Sequence, residues 1–317
     1  MSTFIIANPA SGNGTTGLRW SGVAARLRAE GIRFDAQFTA APGHAVDLAR
    51  EAARQGYAQV ICAGGDGTLN EVVNGLMQVE TERRPALGLI PSGTGTDFAR
   101  GLGWPRTLDG LVEAIRSGVE RHIDVGMASF YRAGQALTRY FINVAGAGFD
   151  GEVSDVVNRE GKRGGSLAYF LAVFRVLTSY EHKHARVTLT APDGSTRILE
   201  GRYNLIAVGN GRYFGGGMCI SPNGDVCDGC FEAIVIEAMS RAEFALNFPK
   251  VYRGAHLSHP KVREYRVAAV RIELTSEGQR MFVEAEGELF GEAPAGFHVI
   301  PGALRLVIPP GLLQSRR

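Results

Sequence analysis

Three times in the first hundred residues a short apolar run stops at a glycine turn and gives way to a helical pattern. FIIA is followed by NPASGNGTTG, VICA by GGDGTLNEVVNGL, and LGLI by PSGTGTDFARGLG. Repetition of strand, glycine turn and helix constrains the fold strongly, because parallel strands need long crossovers and helices supply them. The pattern predicts strands near 3–8, 33–38, 58–63, 86–90 and 119–125, and helices near 16–30, 43–55, 68–78 and 107–117. In the third helix Leu69, Val72, Val73 and Leu76 fall at i, i+3, i+4 and i+7, the stripe that packs on a sheet.

After about residue 126 the pattern changes to β-rich segments bounded by Gly, Pro, Asn or Asp, with APDGST at 191–196 reading as a hairpin turn. Helices are expected near 165–180 and 241–253. A chain of 317 residues is long for one domain. The expectation is an open, mainly parallel α/β domain over 1–125, with helices on both faces, and a β-rich antiparallel, sandwich-like domain over 126–317. The last strand, 303–309, stays open between them: it belongs to the second domain or returns to the first.

A net charge of +2 is too mild for a nucleic-acid partner. MSTFIIANPASG lacks a basic n-region and reads as a strand rather than a secretory leader, so a cytoplasmic location is expected. Cys227 and Cys230 form an isolated CxxC with neither a second pair nor a nearby His, and read as two small side chains around an Asp-Gly turn.

The glycine turns carry the chemistry. Gly12, Gly14 and Gly17 form a literal GxGxxG after a strand, with Asp35 near the end of the next, which is the dinucleotide-binding spacing. A lone GxGxxG is weak evidence, and Asn8-Pro9 fixes the backbone before it. Gly64, Gly65 and Gly67 follow the third strand, and Gly93, Thr94 and Gly95 follow the fourth. Three such turns at the ends of neighbouring strands outline a polyphosphate cleft. Asp66 stands among them, where an acid repels phosphate unless a Mg²⁺ ion or a hydroxyl partner intervenes.

NPASGNG, GGDGTLNEVVNGL, PSGTGTDFARGLG, NVAGAGFDGEV and PNGDVCDGCFE, in this order, resemble the diacylglycerol kinase catalytic family, most closely its bacterial soluble lipid kinase branch. The resemblance implies an ATP- and Mg²⁺-dependent lipid kinase with its active site in an interdomain cleft. It would place Asn8, Pro9, Ala10, Ser11, Gly12, Thr39, Gly65, Asp66, Gly67, Thr68, Leu69, Asn70, Glu71, Gly93 and Thr94 around ATP. A structural Mg²⁺ would lie on Asp228 with the carbonyls of Asp225 and Cys230. The family's DGE stands here as EGE, with Glu288 as proton acceptor, Glu286 replacing the aspartate, and Asp66 completing the catalytic set. Thr96 replaces an asparagine. Because Glu284, Glu286 and Glu288 alternate, a strand would put all three on one face.

The implied acceptor is a hydroxyl of a membrane lipid, diacylglycerol-like, phosphatidylglycerol or sphingoid, met at the inner face of the membrane by a peripheral protein. Leu167, Phe170, Leu171, Phe174 and Leu177 form a stripe that suits either a core helix or a membrane contact. A homodimer is open. Alternatives are a soluble-substrate kinase of NAD-kinase type, a Rossmann-like oxidoreductase, and a catalytically silent nucleotide- or membrane-binding module.

Overall fold

The apolar stripe at 69–76 is buried along its length, and its helix packs against the strand before it. A computed structural model describes residues 2–93, 95–105, 107–117, 119–160, 173, 175–177 and 179–313. Its contacts divide the chain into one unit of Met1–Ile123 with Gly302–Arg317, and a second of Asp124–Pro301.

The first unit alternates β1 (Thr3–Ala7), α1 (Thr15–Ala29), β2 (Phe34–Phe38), α2 (His44–Arg54), β3 (Gln59–Gly64), α3 (Asp66–Leu76), β4 (Ala86–Pro91), α4 (Asp97–Leu102) and α5 (Leu108–Ser117). The sheet order is β2-β1-β3-β4, all parallel. The last strand of the chain joins beside β4, Leu306 opposite Leu87. The chain thus leaves β1 to one side for β2 and to the other for β3, so the switch point of the sheet lies between β1 and β3.

α2 and α3 pack closely because Gly75 has no side chain: a Cβ there would stand 2.3 Å from the Val46 carbonyl oxygen. α2 opens on Gly43 without a side-chain cap of its own. Glu71 of α3 supplies one, its two carboxylate oxygens accepting Gly43 N–H at 2.8 Å and Ala45 N–H at 3.2 Å.

The second unit takes up β5 (Glu120–Arg132) from its fifth residue and continues through β6 (Gln135–Phe141), β7 (Val144–Gly148), α6 (Phe149–Glu160), β8 (Lys183–Thr190) and β9 (Thr196–Gly209). Then come β10 (Tyr213–Phe214), β11 (Met218–Cys219), β12 (Phe231–Glu237), α7 (Arg241–Asn247), β13 (Val262–Val267), β14 (Ala269–Leu274), β15 (Phe282–Ala285) and β16 (Glu288–Val307). Antiparallel ladders run β7-β9-β8-β14-β16-β15 and close back on β7. The long strands β9 and β16 each serve two stretches of this ring.

Its interior is filled by Phe130, Phe141, Phe231, Phe290 and Phe297 among aliphatic side chains. Alternation serves both faces of the β12-β9-β7 segment. Ile206, Val208, Ala233 and Val235 point into the ring, while Leu205, Ala207, Ile234 and Ile236 face a second core formed with α6 and α7.

APDGST is the β8–β9 hairpin turn, closed by Ala191 N–H to the Ser195 carbonyl at 2.8 Å. The helix expected over 241–253 stops at Asn247 and continues as 3₁₀ turns from Phe248, because Pro249 lacks an N–H and disfavours helix in the residue before it. Of the helix expected near 165–180, Leu167, Phe170, Leu171 and Phe174 lie outside the described residues. Val173 and Val176 are buried, and Leu177 packs against that second core.

Gly→Ala in a helix normally gains about 1 kcal/mol, but at Gly75 the new methyl meets a backbone carbonyl that cannot swing away. Gly75→Ala is expected to lower stability by about 1–3 kcal/mol, the cost of overpacking, read as a fall in thermal midpoint. A raised midpoint would show that α2 and α3 have room to part.

Candidate active site

In the first unit the loops after β1, β3 and β4 meet at the carboxyl ends of the parallel strands, where open α/β sheets bind ligands. Two hydrogen bonds tie them across the switch point and beyond. Asn8 Nδ2 donates to Thr68 Oγ1 at 2.9 Å, and Thr16 Oγ1 donates to Ser92 Oγ at 2.9 Å. Asn8 also turns its Oδ1 back to Ala10 N–H at 3.0 Å, fixing the chain through Pro9 to Gly12. Thr39 stands at the end of β2, its N–H on the Ala7 carbonyl at 2.9 Å. Gly65 and Gly93 touch backbone to backbone: a Cβ on Gly93 would lie 2.4 Å from the Gly65 Cα.

Asp66 binds these loops together. Its N–H donates to the Gly95 carbonyl at 3.1 Å, and its carboxylate accepts Asp97 N–H on Oδ2 at 2.8 Å and Phe98 N–H on Oδ1 at 3.2 Å. The acid therefore satisfies the opening N–H groups of α4, a partner that needs neither metal nor substrate. Burial is the largest influence on its carboxyl and raises it to about 6, with the N–H groups of Asp97 and Phe98 and the Arg100 charge acting the other way.

The ATP set from the resemblance separates accordingly. Asn8, Pro9, Ala10, Ser11, Gly12, Thr39, Gly65, Asp66, Gly67, Thr68 and Gly93 gather at the strand ends, and Gly67 is exposed there. Leu69 is core, and buried Asn70 accepts from Asn74 Nδ2 at 3.1 Å through its side chain. Glu71 turns to α2 as described, and Thr94 lies outside the described residues. Asp35, the acid of the dinucleotide-type spacing, accepts the Tyr57 hydroxyl at 2.6 Å.

In the second unit the three glutamates do not share a face. Glu286 and Gly287 have φ of 56° and 74° and form the two-residue turn between β15 and β16, so Glu284 lies one residue before the end of β15 while Glu288 begins β16. The period-two expectation fails at this turn. Glu286 is pinned: its Oε1 accepts Ile142 N–H at 2.8 Å and Asn143 N–H at 2.7 Å, at the break between β6 and β7. That anchorage holds a non-glycine residue in the left-handed region, at a cost of order 1 kcal/mol or more. Glu288 is partly exposed, and Glu284 is fully buried.

A structural Mg²⁺ does not fit the Asp225–Cys230 loop as it stands. Asp228 accepts Cys230 N–H at 3.0 Å on Oδ1 and pairs with Arg266 at 2.9 Å on Oδ2, while the Asp225 carbonyl faces Asp228 N–H at 3.4 Å. Arg266 occupies the carboxylate oxygen that a cation would need. No group of three or more His, Cys, Asp or Glu among the described residues is placed to hold a metal.

An apolar cavity of ≈ 60 Å³ lies in the second unit between the β12-β9 face and α6, α7 and the 3₁₀ turns. Phe149, Leu205, Met218, Ile236, Phe244 and Val251 line it, broken by Asp150 and His256. His256 Nε2 stands 3.0 Å from the Ile220 carbonyl, so it carries the proton, and buried Nδ1 remains an acceptor without a partner. Asp150, inside the GFDG segment, and Glu284 were not marked as a pair by sequence. Their signal was there: an acid at an inward position of a strand, FVEA, whose neighbours are apolar.

Comparison with known proteins bears on the family and the fold. Residues 2–128 match the diacylglycerol kinase catalytic domain, and residues 143–308 the YegS C-terminal NAD kinase beta sandwich-like domain. The chain is 31% identical over 307 residues to the diacylglycerol kinase of Bacillus subtilis (strain 168), covering 96% of this chain and 95% of the relative. A diacylglycerol kinase structure from Bacillus anthracis str. Sterne superposes with a TM-score of 0.71 at 22% identity, over 98% of each chain. Yeast NADH kinase shares the fold at a TM-score of 0.55 and 10% identity, over 97% of this chain and 83% of that one. With two family domains in the order that the sequence predicts and a relative matched over nearly its whole length, the chain belongs to the diacylglycerol kinase family and is a lipid kinase.

Proposed function

We propose that the protein transfers the γ-phosphate of ATP to the hydroxyl of a diacylglycerol-like membrane lipid, working at the membrane surface where that lipid resides. The apolar cavity of the second unit carries this reading. Small-molecule sites pair an apolar lining with a few polar groups, and here Asp150 and His256 stand among Phe149, Leu205, Met218, Ile236, Phe244 and Val251. An acyl chain suits the lining, and His256 Nδ1 offers a lone pair to a hydroxyl.

The glycine loops at the β1, β3 and β4 ends would hold the nucleotide phosphates through backbone N–H groups. Asp66 fixes two of those loops. Mg²⁺ would arrive with the nucleotide and neutralise its phosphate charge. Phosphoryl transfer asks the protein mainly to align the acceptor oxygen and stabilise charge. Glu288 is the residue to accept the hydroxyl proton, since Glu286 is spent on the backbone of Ile142 and Asn143 and Glu284 is buried. Among the described residues no helix is long and apolar enough to cross a membrane.

Transfer of labelled phosphate from ATP and Mg²⁺ to diacylglycerol, phosphatidylglycerol and sphingoid lipids in mixed micelles tests the reading; no transfer to any of them would sink it. Glu288→Gln is expected to lower kcat by roughly 10²–10⁴-fold with ATP affinity retained, and normal turnover would remove Glu288 from its role. Val251→Phe, which narrows the cavity, should reduce kcat/KM for long-chain lipids by about tenfold and spare short-chain ones. Equal effects on both would place the acyl chain elsewhere.

Asp66 accepts both N–H groups only while ionised. With its carboxyl raised to about 6, turnover should fall as the pH drops through that value. Asp66→Asn, which keeps one acceptor oxygen and adds two donors, should be slower throughout and lack this acid limb. An unchanged limb in the variant would assign it to another group.

A further inference from the structure

Two acids fully buried in the second unit face each other with no donor between them. Asp150 sits at the start of α6 and Glu284 on β15, both almost without exposure. Asp150 Oδ1 accepts the Gly151 N–H at 2.8 Å, and Glu284 Oε2 accepts the Gly287 N–H at 2.9 Å. The remaining oxygens, Asp150 Oδ2 and Glu284 Oε1, are buried and have no N–H or O–H partner, and the two side chains are in hydrogen-bond contact. Gly146, opposite Glu284 in the β7–β15 ladder, makes the approach possible, since a Cβ there would lie 2.4 Å from Asp150 Oδ2.

Two acceptors in contact, removed from water, cannot both be ionised. We infer that Asp150 and Glu284 share one proton, and that protonated Glu284 acts as the positioning residue for the Glu286–Gly287 turn from which Glu288 begins. One Glu284 oxygen donates through the shared proton to Asp150, the other holds the turn by Gly287 N–H, and Glu286 fastens the same turn to Ile142 and Asn143. The catalytic consequence for Glu288 rests on the lipid kinase reading above; the shared proton does not.

Burial, followed by the Asp150 charge, holds the Glu284 carboxyl well above the ordinary range, and burial also raises Asp150. The other titratable groups facing the pair are Glu286 on the turn and Tyr180 and Glu152 on the Asp150 side. Glu286 is tied to backbone N–H groups. Glu152 is paired with Lys183 at 2.9 Å, and the Tyr180 hydroxyl donates to the Asn204 carbonyl at 2.8 Å. β7, the strand beneath, is VAGAG and brings no charge.

A carboxyl whose folded pKa is raised stabilises the fold most below its unfolded pKa, about 4.3 for Glu. That contribution is lost as the pH rises towards the folded value. Glu284→Gln keeps both hydrogen bonds, its amide donating to Asp150 and its carbonyl accepting Gly287 N–H, and removes the proton. The test is thermal unfolding of the full chain between pH 5 and 9, beside lipid phosphorylation over the same range. Glu284→Gln should unfold at a higher temperature than the parent by a margin that widens with pH, keep phosphorylation within about threefold, and lose less of it at alkaline pH. Glu284→Leu should lower turnover more than tenfold with the KM for ATP unchanged. A Glu284→Gln midpoint that tracks the parent at constant offset, or lies below it throughout, would overturn the shared proton. A pH-dependent midpoint gain with Glu284→Leu as active as the parent would overturn the positioning role. If no form phosphorylates any lipid, the kinase reading and the positioning role fall together while the midpoint series still decides the proton.

Discussion

Everything at the strand ends of the first unit hangs on where one carboxylate finds its donors. Asp66 accepts the first two N–H groups of α4, and its own N–H reaches the Gly95 carbonyl. Neighbouring loops that would otherwise present competing N–H and C=O groups to solvent are thereby locked in one arrangement. Gly65 and Gly93 press against each other only because neither carries a Cβ. The same device recurs one helix away, where Glu71 closes the opening turn of α2. Acids near glycine turns in this chain serve first as caps, and what they do for a ligand is built on loops already fixed.

The second unit handles polarity by the opposite economy. Most of its buried surface is apolar and alternates strictly across β7, β9 and β12. Among its buried polar residues, Asp150, Glu284 and His256 stand out, together with Asn143 and Asn210. Each departs from the rule that buried polar atoms are paired by the protein itself.

Much of the fold was legible because local and tertiary signals coincide. The stripe at Leu69, Val72, Val73 and Leu76 is the packed face of α3, and the first-unit strands lie within a residue or two of their expected positions, apart from β5, which runs on to Arg132. The glycine turns marked the strand ends correctly. Period failed where the backbone turned: Glu284, Glu286 and Glu288 alternate in sequence, yet a two-residue turn separates them. Strand β6 ends at Phe141 and β7 begins at Val144, the break falling at Ile142–Asn143 where the Glu286 carboxylate takes both N–H groups. No local rule reveals a side chain from 143 residues away. The same holds for Arg266, which closes on Asp228 from a neighbouring strand.

The final strand adds a matter of timing. Leu306 pairs with Leu87, and Arg84 reaches the Ala303 carbonyl across a separation of 219 residues. During synthesis most of the first unit emerges early, but one edge of its sheet waits for the stretch after Pro301, which follows the whole second unit in sequence. Until then β4 is an open edge, with unpaired backbone groups available to any passing strand. The order of translation therefore gives the whole second unit time to fold before the first can close.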